Sequence, residues 1–233
     1  MARPIPPERF DQLVRVAAEV FIRNGYRRTQ MADVAEALGV AKGTVYLYVE
    51  SKEALFDVVA RHVDDETPIP CPESLPIRTP EAASTLKVIR DRIHAQIGIA
   101  PLEKALASPK FPRDARSELE SIVLAVYDVL HKNRRGMKLI DRSAVDRPDF
   151  AALWFEGGRE GLLALLDRYI RTRIDAGAFR PVTDVATATR AMVEILAFWA
   201  VHRHWDAHPQ NTSEANARAT AAELVLRMFA KEA

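Results

Sequence analysis

The chain has 233 residues, 48% of them hydrophobic and 28% charged, with a formal net charge of +1. That length can bury the core of one large or two small domains, and the composition is that of a soluble globular protein. The small net charge excludes a whole-chain field for nucleic acid, and the single cysteine, Cys71, excludes an intrachain disulfide and a cysteine-based zinc site.

Cys71 stands between Pro70 and Pro72 and reads as a loop thiol in a reducing compartment. No apolar run approaches the roughly 20 residues needed to cross a bilayer. The first residues, MARPIPPERF, lack a signal-peptide core, so the expected location is the cytoplasm, with no membrane partner.

After Pro6 and Pro7, apolar residues fall at Phe10, Leu13, Val14, Ala17, Val20 and Phe21, which is helical spacing closed by Gly25. Met31, Val34, Ala35 and Leu38 predict a short second helix ending at Gly39. A third short helix starts near Lys42. A fourth runs from Ser51 through Leu55, Val58 and Val59 to about Val63, with Ser51 as N-cap and Glu53 in the first turn.

Residues 67–80, TPIPCPESLPIRTP, carry five prolines and predict a loop or linker. The expected domain boundary lies near it, at residues 62 and 63. Thr79-Pro80-Glu81 then restarts helix. Leu86, Ile89, Ile93 and Ile97 share one face, and Leu102 to Ala107 is a short piece bounded by Pro101 and Pro109. Leu119, Ile122, Val123, Val126 and Leu130 predict a longer helix. Phe150 to Ile174 is long and apolar and is closed by Gly177 and Pro181. Val185 to about His204 is apolar on nearly every side from Ala191 to Val201, and a last helix carries Ala221, Leu224, Val225, Met228 and Phe229. No useful strand alternation and no repeat occurs, so the predicted fold class is all-α.

Residues 29–49 read as two short helices joined by Gly39-Val40-Ala41, with Val40 plugging the space between them. Stepping 100° per residue from Lys42 places Val45 and Val49 inward. Gly43, Thr44, Leu47 and Tyr48 then face outward, with Tyr46 at the margin. Such a face, small, polar and aromatic, suits the major groove of DNA. Gly43 allows close backbone approach, Thr44 can meet a phosphate or base edge, and tyrosine hydroxyls can donate to phosphates. Lys42 and Lys52 bring positive charge to the flanks, and Arg23, Arg27 and Arg28 cluster just upstream. Residues 1–62 hold nine Lys/Arg against eight Asp/Glu, so the charge is a local patch only. By period alone, the same stretch also fits an ordinary helical hairpin with a solvated face.

The string from Thr29 to Leu55, TQMADVAEALGVAKGTVYLYVESKEAL, closely resembles the TetR family of bacterial transcription regulators, as does the upstream helix ending in Phe21, Gly25 and Tyr26. The resemblance covers roughly the first 60 residues. It implies a DNA-binding domain over residues 1–62, with Gln30–Val49 as the helix-turn-helix and Lys42–Tyr48 as the reading helix. It implies a first phosphate contact around Thr29 and Gln30, next to Arg28. It implies backbone or base contacts at Lys42, Gly43, Thr44, Tyr46 and Tyr48, a base-facing position at Leu47, and a phosphate anchor at Lys52. Two positions depart from the family's pattern. Ala41 replaces the usual serine, removing a cap worth ~1 kcal/mol, and Gln30 stands where threonine or serine is common.

The resemblance further implies that residues 63–233 form a helical domain that dimerises and holds a small effector, and that the partner is double-stranded DNA with a palindromic operator. The apolar helices Phe150–Ile174 and Val185–His204 are the expected dimerising pair. Gly157, Gly158 and Gly161 suggest a close helix crossing or a kink beside a pocket. Tyr127, Trp154, Phe155, Glu194, Phe198 and Trp199, with Met137, are the candidate ligand residues, although aromatics at helical spacing also make plain core. For Glu194 the favoured reading is an i,i+4 pair with Arg190. HRHWDAH brings His204 and His208 to a metal-compatible i,i+4 spacing. Interaction with terminal helix carbonyls is the reading preferred there, and no metal or cofactor is assigned. EGGREG lacks the ending of a phosphate loop, and no catalytic set is present.

The resulting expectation is a homodimeric, ligand-responsive repressor rather than an enzyme. An all-α carrier or enzyme with a scaffolding hairpin, and an activator or co-regulator, are the alternatives.

Overall fold

Phe10, Leu13, Val14, Ala17 and Phe21 recur at three- and four-residue intervals, and in the computed structural model they form the buried face of α1 (Pro7–Asn24). The structure describes residues 7–108, 114–145 and 147–231, without the side chains of residues 7, 82, 94–97 and 154–156. Among the described residues the only β-pairings are the isolated bridges Val49–Ile77 and Phe179–Ala230, so the fold is all-α.

Two compact units emerge. The first comprises residues 1–93 and 135–155, the second residues 94–134 and 156–233. This partition by packing differs from the division at 62 and 63 expected from composition, because a later stretch of chain returns to the first unit.

In the first unit, α1 is followed by α2 (Met31–Leu38), α3 (Lys42–Val45) and α4 (Lys52–His62). Gly39 ends α2 at φ 70°, the left-handed conformation that glycine adopts without penalty. Ser51 caps α4, its hydroxyl accepting from the Ala54 N–H at 3.1 Å. Phe21, Tyr26, Phe56 and Phe150 form an aromatic cluster at the centre, with Phe56 edge-on to Phe21 at 5.2 Å and stacked on Phe150 at 5.4 Å.

The proline-rich segment is a tied strap. The Ile69 N–H donates to Asp11 Oδ1 at 3.0 Å, and the Ile69 side chain is buried. Arg15 donates to the carbonyls of Asp65 and Thr67. Further on, the Ile77 N–H donates to the Tyr48 carbonyl and the Glu50 N–H to the Ile77 carbonyl.

The unit is completed by the first part of α5 (Ala82–Ile97), by α8 (Arg134–Ala144) and by α9 (Pro148–Ala152). The predicted face of α5 is observed at Ile89 and Ile93, while Ile97 lies outside the described side chains. α8 is not among the helices expected from the sequence. Its buried residues Gly136, Leu139, Ile140, Ser143 and Ala144 do follow helical spacing, but small and polar types dilute the apolar signal. The Asp64 carboxylate joins α4 to α5 and α8. It accepts from Arg92 at 2.8 Å and from the Arg135 and Gly136 N–H groups at 3.0 and 3.1 Å. A Cβ at position 136 would lie 2.4 Å from that carboxylate, so the site requires glycine. At the other end of α8, Arg142 donates to the carbonyl of Ile22.

In the second unit, α6 (Ala100–Ala107), α7 (Ala115–Lys132), α10 (Glu160–Asp175), α11 (Val185–Ala200) and α12 (Glu214–Phe229) enclose Leu119, Val126, Leu166, Ile170, Leu196 and Val225. Asp114, Asp184 and Ser213 cap α7, α11 and α12. Arg173, only 2% exposed, is neutralised by Glu118 at 2.8 Å and donates to the Ala105 carbonyl. The single helix predicted over 150–174 is instead α9, a π-helical stretch Leu153–Arg159, and α10. A Cβ at Gly157 or Gly161 meets nothing within 4 Å, so neither glycine serves a close helix crossing. The helix predicted to reach His204 ends at Ala200 and gives way to a 3-10 turn, His202–Trp205.

Candidate nucleic-acid interface

Val34 and Ala35 of α2 and Val45 of α3 are buried, which fixes the opposite faces of both helices outward. Asp33 accepts from the Gln30 N–H at 2.8 Å and satisfies one of the free donors at the start of α2. Arg28, Gln30, Lys42 and Gly43 are exposed, and Thr44, expected to face outward, is half-buried. Beyond them, Tyr46 is 39% exposed and Leu47 54% exposed. Gly43 has no internal reason to be glycine. A Cβ there meets nothing within 4 Å, and its φ is not positive.

Tyr48 is the main correction. It was expected to face outward with Leu47, yet it is 2% exposed and its ring lies 6.2 Å from that of Phe10. The cause is the hydrogen-bond pattern. α3 stops at Val45, and the following bonds run Leu47 N–H to Thr44 O and Tyr48 N–H to Val45 O. In such i→i+3 winding, residues three apart eclipse each other. Tyr48 therefore falls over Val45, inside, and the 100° step fails after one turn. Burial pushes the Tyr48 hydroxyl above its ordinary pKa, against the opposing charge of Arg9.

Two other predicted contacts are engaged within the protein. Thr29 is 1% exposed, and its hydroxyl donates to the Gly25 carbonyl at 2.8 Å. Lys52 directs its ammonium to three carbonyls, those of Tyr26, Arg27 and Thr29, at 3.1, 3.3 and 3.1 Å. It also lies 4.6 Å from the centroid of the Tyr26 ring. An ammonium has three protons, so this lysine clamps the α1–α2 turn from inside. Tyr26 in turn donates to Glu53 at 2.8 Å, and burial together with that carboxylate raises its pKa.

The predicted ligand residues do not converge. Glu194 is exposed and pairs with Arg190 at 2.6 Å. Tyr127 is buried, and its hydroxyl donates to Glu214 at 2.7 Å. Phe198 and Trp199 touch edge to face at 5.3 Å, with Phe198 partly exposed. Trp154 and Phe155 lie outside the described side chains. Met137, also named from sequence, belongs to α8 in the first unit. A surface concavity of about 850 Å³ in the second unit is lined by Arg116, Arg180, Arg227, Ala230 and Lys231, none of them predicted. Sequence analysis also missed a cluster of His131, His204 and Glu214, whose partners are distant in sequence. His208, the expected partner of His204, is exposed in the following loop.

An all-α chain whose N-terminal helix-turn-helix exposes a lysine, a glycine, a tyrosine and a leucine is of the helix-turn-helix class. The family model for bacterial regulatory proteins of the tetR family matches residues 13–59, so this segment is similar to that family. The fatty acid metabolism regulator protein of Bacillus subtilis is 42% identical over 45 residues, 19% of this chain and 23% of that protein. The transcriptional repressor KstR2 of Rhodococcus jostii is 34% identical over 55 residues, 24% of this chain and 27% of that protein. These matches span about a quarter of either relative's length. In fold, the ketosteroid transcriptional regulator KstR2 of Mycobacterium tuberculosis is similar over 98% of both chains, at 19% identity and a TM-score of 0.56. Among the described residues no helix is long and apolar enough to cross a membrane.

Proposed function

We propose that the chain is a homodimeric transcriptional repressor that reads a palindromic DNA operator and is released by a small-molecule effector. Residues 1–62 supply the DNA-binding head and residues 63–233 supply dimerisation and effector binding. One observation carries the reading. The stretch with family identity coincides with an exposed face centred on a glycine that the protein's own packing does not require. A glycine in a helix costs about 1 kcal/mol relative to alanine. Close approach of a DNA backbone is a use that offsets this.

The DNA contacts are Lys42, Thr44, Tyr46 and Leu47, with Arg28 and Gln30 on the adjoining edge. Tyr48 and Lys52 shape the face from behind, and Thr29 holds the turn that leads into α2. A dimer presents two such faces to half-sites one helical turn apart, about 34 Å. An effector acts by binding better to the arrangement in which that spacing is wrong. The test is selection of bound duplexes from a random pool by the purified chain. An enriched inverted repeat, bound with steep salt dependence, is the expected result. Absence of enrichment, or affinity indifferent to salt, would overturn the proposal.

A further inference from the structure

The second unit contains a histidine-carboxylate cluster that no DNA-binding role uses. His131 closes α7, His204 sits in the 3-10 turn after α11, and Glu214 opens α12. One ligand atom from each lies within 4.8 Å of the other two. His131 Nδ1 is 3.1 Å from Glu214 Oε1, and His204 Nε2 is 3.8 Å from Glu214 Oε2. Donors at tetrahedral corners around zinc, about 2.0–2.1 Å from the metal, are about 3.3 Å apart. The two separations, which run to different oxygens of the same carboxylate, lie on either side of that value.

We infer that His131, His204 and Glu214 form a binding site for a divalent transition metal of the zinc, cobalt or nickel type. Two nitrogens and one carboxylate oxygen are the donor set such ions accept, and three protein donors leave a position open for water or another ligand.

The second observation concerns His131. Its Nδ1 is buried and makes no hydrogen bond, and the polar atom beside it is Glu214 Oε1 at 3.1 Å, itself a metal donor. Glu214 is held from behind. Tyr127 donates to Oε1 at 2.7 Å, and Arg203 donates to Oε2. Each carboxylate oxygen retains a second lone pair, and supporting donors of this kind orient metal-binding carboxylates.

Arg134 opposes the ion. It contacts His131 Nε2 at 3.2 Å and donates to the His131 carbonyl at 2.8 Å. Metal on Nδ1 places the ring proton on Nε2, so Arg134 must give up the ring and keep only the carbonyl. This competition supplies a test with an unusual sign.

The full chain, freed of metal, is titrated with Co(II), whose visible ligand-field bands report tetrahedral coordination, and with Zn(II) in competition against a chromophoric chelator. One ion per chain is expected. His131→Gln and His204→Gln should each weaken binding by more than the about 10–100-fold that loss of a supporting hydrogen bond costs. His208→Ala should leave it unchanged, and Arg134→Gln should tighten it severalfold. Thermal melting of each variant without metal checks folding, and Zn(II) should raise the melting temperature of the wild type but not of His204→Gln. The inference is overturned if the wild type binds no Co(II). It is also overturned if a folded His204→Gln chain binds as the wild type does, or if His208→Ala abolishes binding. None of these readouts involves DNA, so failure here is distinct from failure of the proposed regulator.

Discussion

Tyr48 rests against Phe10, ring centroids 6.2 Å apart and planes inclined by 31°. The contact joins the end of the reading segment to the first turns of α1. It makes Tyr48 part of the core that holds α3 in place, with its ring buried. Tyr48→Ala should therefore destabilise the fold by about 3–5 kcal/mol, the range for truncating a buried aromatic ring. Tyr48→Phe keeps the ring and should leave operator affinity within a few-fold of wild type. Urea denaturation and operator titration measure the two effects. A large binding loss in a fully stable Tyr48→Phe chain would return Tyr48 to the DNA-facing set.

Gly43→Ala should separate stability from binding. The added methyl meets no neighbour in the free protein, and alanine is the better helix former. The variant should be as stable as wild type or up to about 1 kcal/mol more stable. Its affinity for the selected duplex should nonetheless fall by more than tenfold, because the methyl occupies the space a DNA backbone would use. Thermal melting and titration on the same preparation decide this, and unchanged affinity would move the reading surface elsewhere.

Lys42 and Lys52 should behave oppositely although both are lysines of the same motif. Lys42 is exposed at the start of α3, so Lys42→Ala should leave melting unchanged and reduce the slope of log affinity against log salt by about 1. Lys52 is bound to three carbonyls, so Lys52→Ala should lower stability by about 1–2 kcal/mol. Its effect on DNA should follow from a loosened α1–α2 turn, leaving the salt slope nearly intact. Measuring the slope for both variants tests the distinction.

The strap should make the fold acid-sensitive. A hydrogen bond from Arg15, reinforced by the Ile69 N–H, holds the Asp11 carboxyl below its ordinary value of 3.8. A group with a depressed folded pKa contributes stability that is present above the unfolded value and is lost as pH falls through the folded one. Wild type should thus exceed Asp11→Asn in stability at neutral pH, and the gap should shrink below 3.8. Denaturation midpoints of both chains across acid pH check the sign, and a gap that widens in acid would contradict it.

Most helices of both units are legible because their buried residues keep a 3.6-residue period over several turns, as Leu119, Ile122, Val123 and Val126 do, whereas the small and polar residues of α8 hide it. The short reading helix was legible only as far as Val45. Beyond it the winding tightens, and one turn of periodicity cannot reveal a change of period. The three carbonyl contacts of Lys52 are not legible, because a lysine beside a phosphate and a lysine beside three carbonyls look alike in a string of letters. The strap was read as a loop because its order comes from partners such as Asp11 and Tyr48, far away in sequence. The same is true of His131, which sits 73 positions before His204 and carries no local spacing that points to it. In the reading segment the inward direction of Val45 and Val49 and the outward direction of Leu47 are readable, whereas that of Tyr48 is not.

The return of residues 135–155 to the first unit bears on the order in which the protein is made. Phe56 acquires its stacking partner only when Phe150 has been synthesised, and the last carbonyls of α1 acquire Arg142 at about the same time. A ribosome releases the whole family-matched segment long before either residue exists. The nascent head must wait, with one side of its aromatic cluster uncovered, while the intervening chain emerges. Its final packing is thereby timed to the synthesis of helices that lie well beyond the motif itself.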